Sequence, residues 1–426
     1  MAAIIPFNAV RYNQETVADL SRVICPPYDI IPPERQKFFH ELSPYNLIHM
    51  ELGLDVCGED KYERAGNHFR DLLARKVLIR DEKPAVYFYR QEYSINREKH
   101  SRSGFLALLR LEERKSGVFG HEHTHLEPKE DRLRLIRKVK ANLSPIFVIF
   151  ADRKKAIAQT LVPALEGTSS RIDIIDDEKV GHTLWRIDDP GILEKVQAKM
   201  EQENIFIADG HHRYEVACAY RDEMKQSLGA DFTGSEGFNY VLAYFTNIDA
   251  QGLTVLPIHR LVRLAAKPDM DSITRLLAGQ FSVEEVKDRS RFFFLLAKAG
   301  VAEHSIGMCA DARCWLLRLR NVKFLDKVMA DKPAEYRALD VAILNSLILK
   351  DVLKIDPADK DSVTFSAQSE DLLSACAHDP AKVAFFLNPT KVDQVMAIAL
   401  RGEKMPPKST YFYPKVASGL VIHKHE

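Results

Sequence analysis

At 426 residues the chain is longer than one hydrophobic core usually fills, so two domains, or one domain with a large addition, are expected. Its 46% hydrophobic and 28% charged residues are those of an ordinary globular protein and exclude long disorder. Lys plus Arg and Asp plus Glu each total 60, so no global field selects nucleic acid or an anionic membrane, and any basic site has to be local.

The opening Met1-Ala2-Ala3-Ile4-Ile5-Pro6-Phe7 has no basic stretch and too short an apolar run for a secretory leader. No apolar run reaches the ~20 residues that a membrane helix needs. The cysteines at 25, 57, 218, 309, 314 and 376 form no CxxC pair, which points to reduced thiols in a cytoplasmic protein.

In chain order, Cys25-Pro26-Pro27-Tyr28-Asp29-Ile30-Ile31-Pro32-Pro33 is extended or turning because proline fixes φ, and reads as a connector or a functional loop. Tyr62 to Lys76 has helical spacing. Ala85 to Gln91 and Gly104 to Leu109 read as strands joined by a polar hairpin. Six basic residues between Glu127 and Lys140 surround a helical Leu133/Ile136 pattern, whose charge reads as a solvated face, and Ile146 to Phe150 follows as a buried strand. From Pro190 the pattern is helix (Ile192 to Met200), strand (Ile205 to Ala208), tight turn, helix (His211 to Met224). Phe238 to Phe245, Leu253 to Ile258, Cys314 to Leu319 and Val383 to Leu387 are further strands, with a helix after Pro389. The reading is an α+β fold with a mixed sheet core. Four segments are expected: 1–150, 151–265, an added α/β lobe at 266–355, and 356–426 returning to the core.

Asp209-Gly210 lies between an apolar strand and an amphipathic helix, so Asp209 is expected to cap the first helix amides while Gly210 permits the turn and close approach of a ligand. Unsatisfied amides and the helix dipole attract phosphate there, and His211, His212 and Arg213 add donors and charge. The alternative is an ordinary capped helix with surface histidines. In an extended His121-Glu122-His123-Thr124-His125, the three histidines share a face and can hold a transition metal, face phosphate, or simply form a polar loop. The spacing is not HExxH. Glu122 is the better catalytic candidate, as a carboxylate able to take a proton from an attacking hydroxyl. Arg132, the strand-closing His259-Arg260 and the Pro-bounded Lys408-Ser409-Thr410 are further phosphate-contact candidates, with His121 and Thr124. Neither GxxxxGK[ST] nor GxGxxG occurs, which excludes the common nucleotide folds.

Pro26-Pro27-Tyr28-Asp29, His121 to Thr124 with Asp131-Arg132, Ile207 to Glu215, Leu256 to Arg260 and Met405 to Thr410 together resemble the family named domain of unknown function 1015, nearly end to end. About Pro190 to Tyr220 also resembles the ParB/sulfiredoxin-like superfamily, whose helix-strand-DGHHR-helix unit sets a nucleotide's phosphates at the helix start. That likeness implies a kinase of free L-serine or a similar hydroxylated metabolite, with ADP or ATP as donor and Mg²⁺ as cofactor. It further implies that Asp209 works on metal or hydroxyl, that Gly210, His211, His212 and Arg213 hold phosphates, and that Glu122 is the base, with His212 a further catalytic candidate. The competing expectations are a nucleotide-responsive DNA-associated regulator, against which the zero net charge counts, and a metal-dependent hydrolase.

Overall fold

The computed structural model describes residues 3–112, 117–124, 126–166, 168 and 171–425. The chain forms two compact units. The first comprises residues 1–120, 124–253 and 414–426; the second comprises 121–123 and 254–413. These limits differ from the four segments expected at 150/151, 265/266 and 355/356, because segments distant in sequence complete each unit.

The first unit is built on nine strands: β1 (Ile4–Ile5), β2 (Val86–Ile95), β3 (Glu98–Arg110), β4 (Val118–Gly120), β5 (Ile146–Phe150), β6 (Arg171–Ile175), β7 (Gly181–Ile187), β8 (Ile205–Asp209) and β9 (Tyr240–Asn247). Their order is β4-β8-β5-β9-β3-β2-β7-β6, with β1 on β3. The sheet is mixed: β4–β8 and β5–β9 are parallel, and the other pairs are antiparallel. Asn96 and Arg97, both at positive φ (51° and 70°), make the two-residue turn between β2 and β3.

Alternation along the strands gives the sheet two characters. Phe88, Phe105, Val148, Ile207 and Phe245 join one apolar core with Ile157 and Leu161 of α5 (Ala156–Leu161) and Leu193, Val196 and Met200 of α6 (Pro190–Met200). Tyr89, Gln91 and Arg102 point the other way, where Gln91 Nε2 donates to Lys415 O at 2.9 Å and Arg102 to Pro414 O at 2.6 Å. Helices α1 (Pro33–Leu42), α2 (Ile48–Glu51), α3 (Lys61–Ala74), α4 (Leu126–Val139) and α7 (His211–Leu228) complete this unit.

In the second unit the strands His259–Arg263, Phe281–Glu285, Ser305–Ala310, Arg313–Leu319, Val363–Ser366 and Lys382–Phe386 form a six-stranded sheet, and Thr254–Leu256 pairs with Tyr411–Tyr413. Cys309 and Cys314 are cross-strand partners in one hairpin and form a disulfide, which corrects the expectation of six reduced thiols. Cys25, Cys57, Cys218 and Cys376 are free. Among the described residues, no helix is long and apolar enough to cross a membrane.

Candidate functional site

Strand β8 delivers Asp209 to the sheet end, and Gly210, at φ 88°, turns the chain into α7. A side chain at 210 would be strained by that φ, and its Cβ would stand 3.1 Å from the Arg213 guanidinium. Asp209 does not cap the helix as expected. Its Oδ2 accepts from Arg213 Nη2 at 2.6 Å, and its Oδ1 accepts from Lys415 Nζ. Two cationic donors make stronger bonds to a carboxylate than neutral amides do, which explains the preference. Burial would raise the Asp209 carboxyl, but Lys415 and Arg213 outweigh it and hold the group well below the usual carboxylate range.

Arg213 also donates to Pro145 O, so its guanidinium is folded under the turn. Burial opposes its charge, while Asp209, Asp29, Tyr28 and Glu51 favour it and together raise its pKa. Arg132 belongs to the same neighbourhood and corrects the picture of a wholly solvated basic helix face: it is buried, unlike the exposed Arg134, Arg137 and Lys138. Its guanidinium lies 4.2 Å from the Tyr28 ring centroid and donates to Glu51 O at 2.6 Å and to Asp131 Oδ2 at 2.7 Å. Burial, then Asp29, push the Tyr28 phenol up to about 12 despite Arg132 and Arg213. A small cavity of about 50 Å³ is lined by Glu51, Arg132, Ser144 and Arg213 among others. The first unit thus gathers Tyr28, Glu51, Arg132, Asp209, Arg213 and Lys415. Of these, Glu51 and Lys415 were not singled out from the sequence, and no local pattern marks them.

Other expected residues are placed differently. Thr124 Oγ1 donates to Glu215 Oε2 at 2.5 Å, which Lys129 also contacts at 2.8 Å. His211 is buried in the first turn of α7 and His212 half-buried. His121, Glu122, His259, Arg260, Lys408, Ser409 and Thr410 belong to the second unit. There His121 is buried with Nε2 3.3 Å from Thr410 Oγ1, whereas His123 is exposed and residues 121–124 form no strand; His125 lies outside the described residues. Arg260, 1% exposed, donates to Ile258 O, to Lys408 O at 2.8 Å and to Pro407 O at 3.3 Å, and burial lowers its pKa to about 9. Ser409 Oγ donates to Pro406 O at 2.5 Å, and Thr390 Oγ1 to Ser409 O at 2.8 Å. Arg260 and Ser409 therefore clamp the loop around residue 408, on which Lys408 itself is exposed. His259 Nδ1 accepts from Leu387 N at 3.2 Å, and burial followed by Arg260 lowers its pKa to about 4.

The residues present do not fit a Mg²⁺ on Asp209, since both of its oxygens carry cationic partners. Among the described residues, no group of three or more His, Cys, Asp or Glu side chains is arranged to hold a metal ion.

The fold is a mixed α+β one, and its best-formed polar cluster is an assembly of buried cations and carboxylates at a helix start. The chain belongs to the family described as "Protein of unknown function (DUF1015)", whose model matches residues 4–342. No curated protein matches the sequence. Solved structures with some likeness include a C-terminally truncated SbnI from Staphylococcus aureus, with 13% identity, a TM-score of 0.36 and coverage of 74% of this chain and 86% of that one. A free serine kinase variant in complex with ADP has 12% identity, a TM-score of 0.34 and coverage of 71% and 89%. A conserved hypothetical protein from Pyrococcus furiosus has 13% identity, a TM-score of 0.31 and coverage of 71% and 92%.

Proposed function

We propose that the protein is a nucleotide-dependent phosphotransferase acting on a small hydroxylated metabolite, free L-serine among the acceptors, with ADP or ATP as donor. The observation that carries this reading is the placement of Arg213 and Lys415 on buried Asp209 at the start of α7. A phosphoryl group arriving there meets a helix start, where backbone amides and the dipole favour an anion. Arg132, Arg213 and Lys415 supply the neutralising charge that phosphoryl transfer chiefly requires.

Asp209 acts by holding the cations in place, since a carboxyl this strongly favoured as the anion is a poor proton acceptor at neutral pH. His212, on α7, is the candidate acid or base toward the acceptor hydroxyl. The hydroxyl oxygen attacks the terminal phosphorus, the bond to the bridging oxygen breaks, and AMP leaves from ADP, or ADP from ATP.

The test incubates the purified chain with ADP or ATP and L-serine, with and without added Mg²⁺, and follows phosphoserine together with AMP or ADP. Equal amounts of both products, formed only when donor and acceptor are present, are expected. Absence of any thermal shift with adenine nucleotides at millimolar concentration would refute the donor site, whereas binding without turnover of any hydroxylated acceptor would refute the transferase.

A further inference from the structure

The sheet of the first unit has another cavity, of about 370 Å³, on the face turned away from the segment that carries Lys415. Phe88, Phe105, Phe150 and Phe245 line it, with Phe105 and Phe245 stacked at 4.9 Å between centroids, and Ile157 and Leu161 of α5 close one side. The register explains the space. Phe88 pairs with Phe105, and the next pair on that face is Arg90 with Ser103, so a hydroxymethyl stands where bulk would otherwise continue the floor. The Arg90 guanidinium lies 5.1 Å from the Trp185 ring centroid.

Asp152, just beyond β5, also lines the cavity and is 2% exposed. Its Oδ2 accepts from Ile157 N at 2.9 Å, but its Oδ1 has no hydrogen-bond partner among the described residues. Lys199, one cation that senses its charge, is bound to Glu203 at 2.7 Å. Buried carboxylate oxygens without a donor are rare, and an ionised carboxylate can only accept. Arg90, Lys155, Asn247 and Asp249 also line the cavity, and cavities of a few hundred Å³ with apolar walls and a small set of polar groups are the usual form of a small-molecule site.

We propose that this cavity binds a small aromatic amine, with its ring against the phenylalanines and its ammonium donating to Asp152 Oδ1. A charged donor matches the carboxylate, and the ring faces of the phenylalanines also attract a cation. The site is independent of the phosphotransferase reading, because it lies across the sheet from the Asp209 cluster.

Isothermal titration with tryptamine, indole-3-acetate and ADP tests the proposal. Tryptamine binds the wild-type chain, and indole-3-acetate binds at least roughly tenfold more weakly. In Asp152→Asn the amide oxygen has to keep the Ile157 N–H, so its NH₂ takes the Oδ1 position and turns an acceptor into a donor; affinity for tryptamine falls at least about tenfold. Ser103→Trp, at a half-exposed strand position, fills the cavity and abolishes binding while keeping cooperative melting, so the proposal stays testable should Asp152→Asn fail to fold. ADP does not compete. No heat with tryptamine at millimolar concentration, unchanged affinity in Ser103→Trp, or displacement by ADP would overturn the assignment.

Discussion

Replacing Lys415 by methionine removes one of the two cations on Asp209 while keeping most of the side-chain volume. The two side chains are only 11% and 13% exposed, so the scale for a buried pair applies in place of the ~0–1 kcal/mol of surface pairs. Breaking a buried pair from one side costs about 3–5 kcal/mol, and the surviving bond from Arg213 places this case at about 3. For a unit of this size that is a fall of roughly 6–12 °C in melting temperature. The two tryptophans divide between the units, Trp185 in the first and Trp315 in the second, so a Trp315→Phe background reports the first unit alone by fluorescence. In a cycle with Asp209→Asn, each single change is costly and the double variant recovers part of the loss, giving a coupling of about 2–3 kcal/mol. The difference between wild type and Lys415→Met is fully present above the ordinary aspartate range near ~3.9 and shrinks as pH falls through the depressed folded value, because the ionised carboxylate is what Lys415 stabilises. Additivity within ~0.5 kcal/mol at pH 7 would refute the pairing.

Arg213→Ala weakens ADP binding by roughly ten- to a hundredfold, measured by titration, through loss of a charge-assisted contact. Gly210→Ala destabilises the first unit by more than ~1 kcal/mol in urea melts, because φ 88° strains any side chain and the methyl meets Arg213. His259 falls from its ordinary 6.5 to about 4 when folded, so between these values the unfolded chain binds the proton and stability drops as pH falls. The loss is on the order of 3 kcal/mol, and denaturation curves of His259→Asn at pH 4.5 and 7 should show a smaller difference than wild type.

Much of the local structure was legible because periodicity reports which face of an element is buried. The helix at 61–74, the strands at 86–95 and 146–150 and the strand-turn-helix around Asp209 follow from apolar spacing, proline and glycine placement. What periodicity does not carry is pairing across long separations. Lys415 meets Asp209 across 206 positions, so a local reading assigned the carboxylate to the nearest donors, the helix amides. Arg132 shares its helix with exposed arginines, and only the arrival of Tyr28 and Glu51 distinguishes it. Strand alternation in the His121 to His125 run presupposes an extended chain, but residues 121–124 have no regular structure, so burial of His121 says nothing about His123. The disulfide required the register of one hairpin, in which Asp311 and Ala312, both at positive φ, set Cys309 opposite Cys314.

The first unit is discontinuous, with residues 254–413 spliced between its body and its last segment. During synthesis the sheet strands, Arg132 and Arg213 leave the ribosome well before Lys415, with the 160 residues from 254 to 413 emerging in between. A nascent chain stalled before residue 415 therefore holds Asp209 with Arg213 alone. Completion of the charge cluster becomes a late checkpoint of translation, and fragments ending before it are predisposed to local opening and proteolysis.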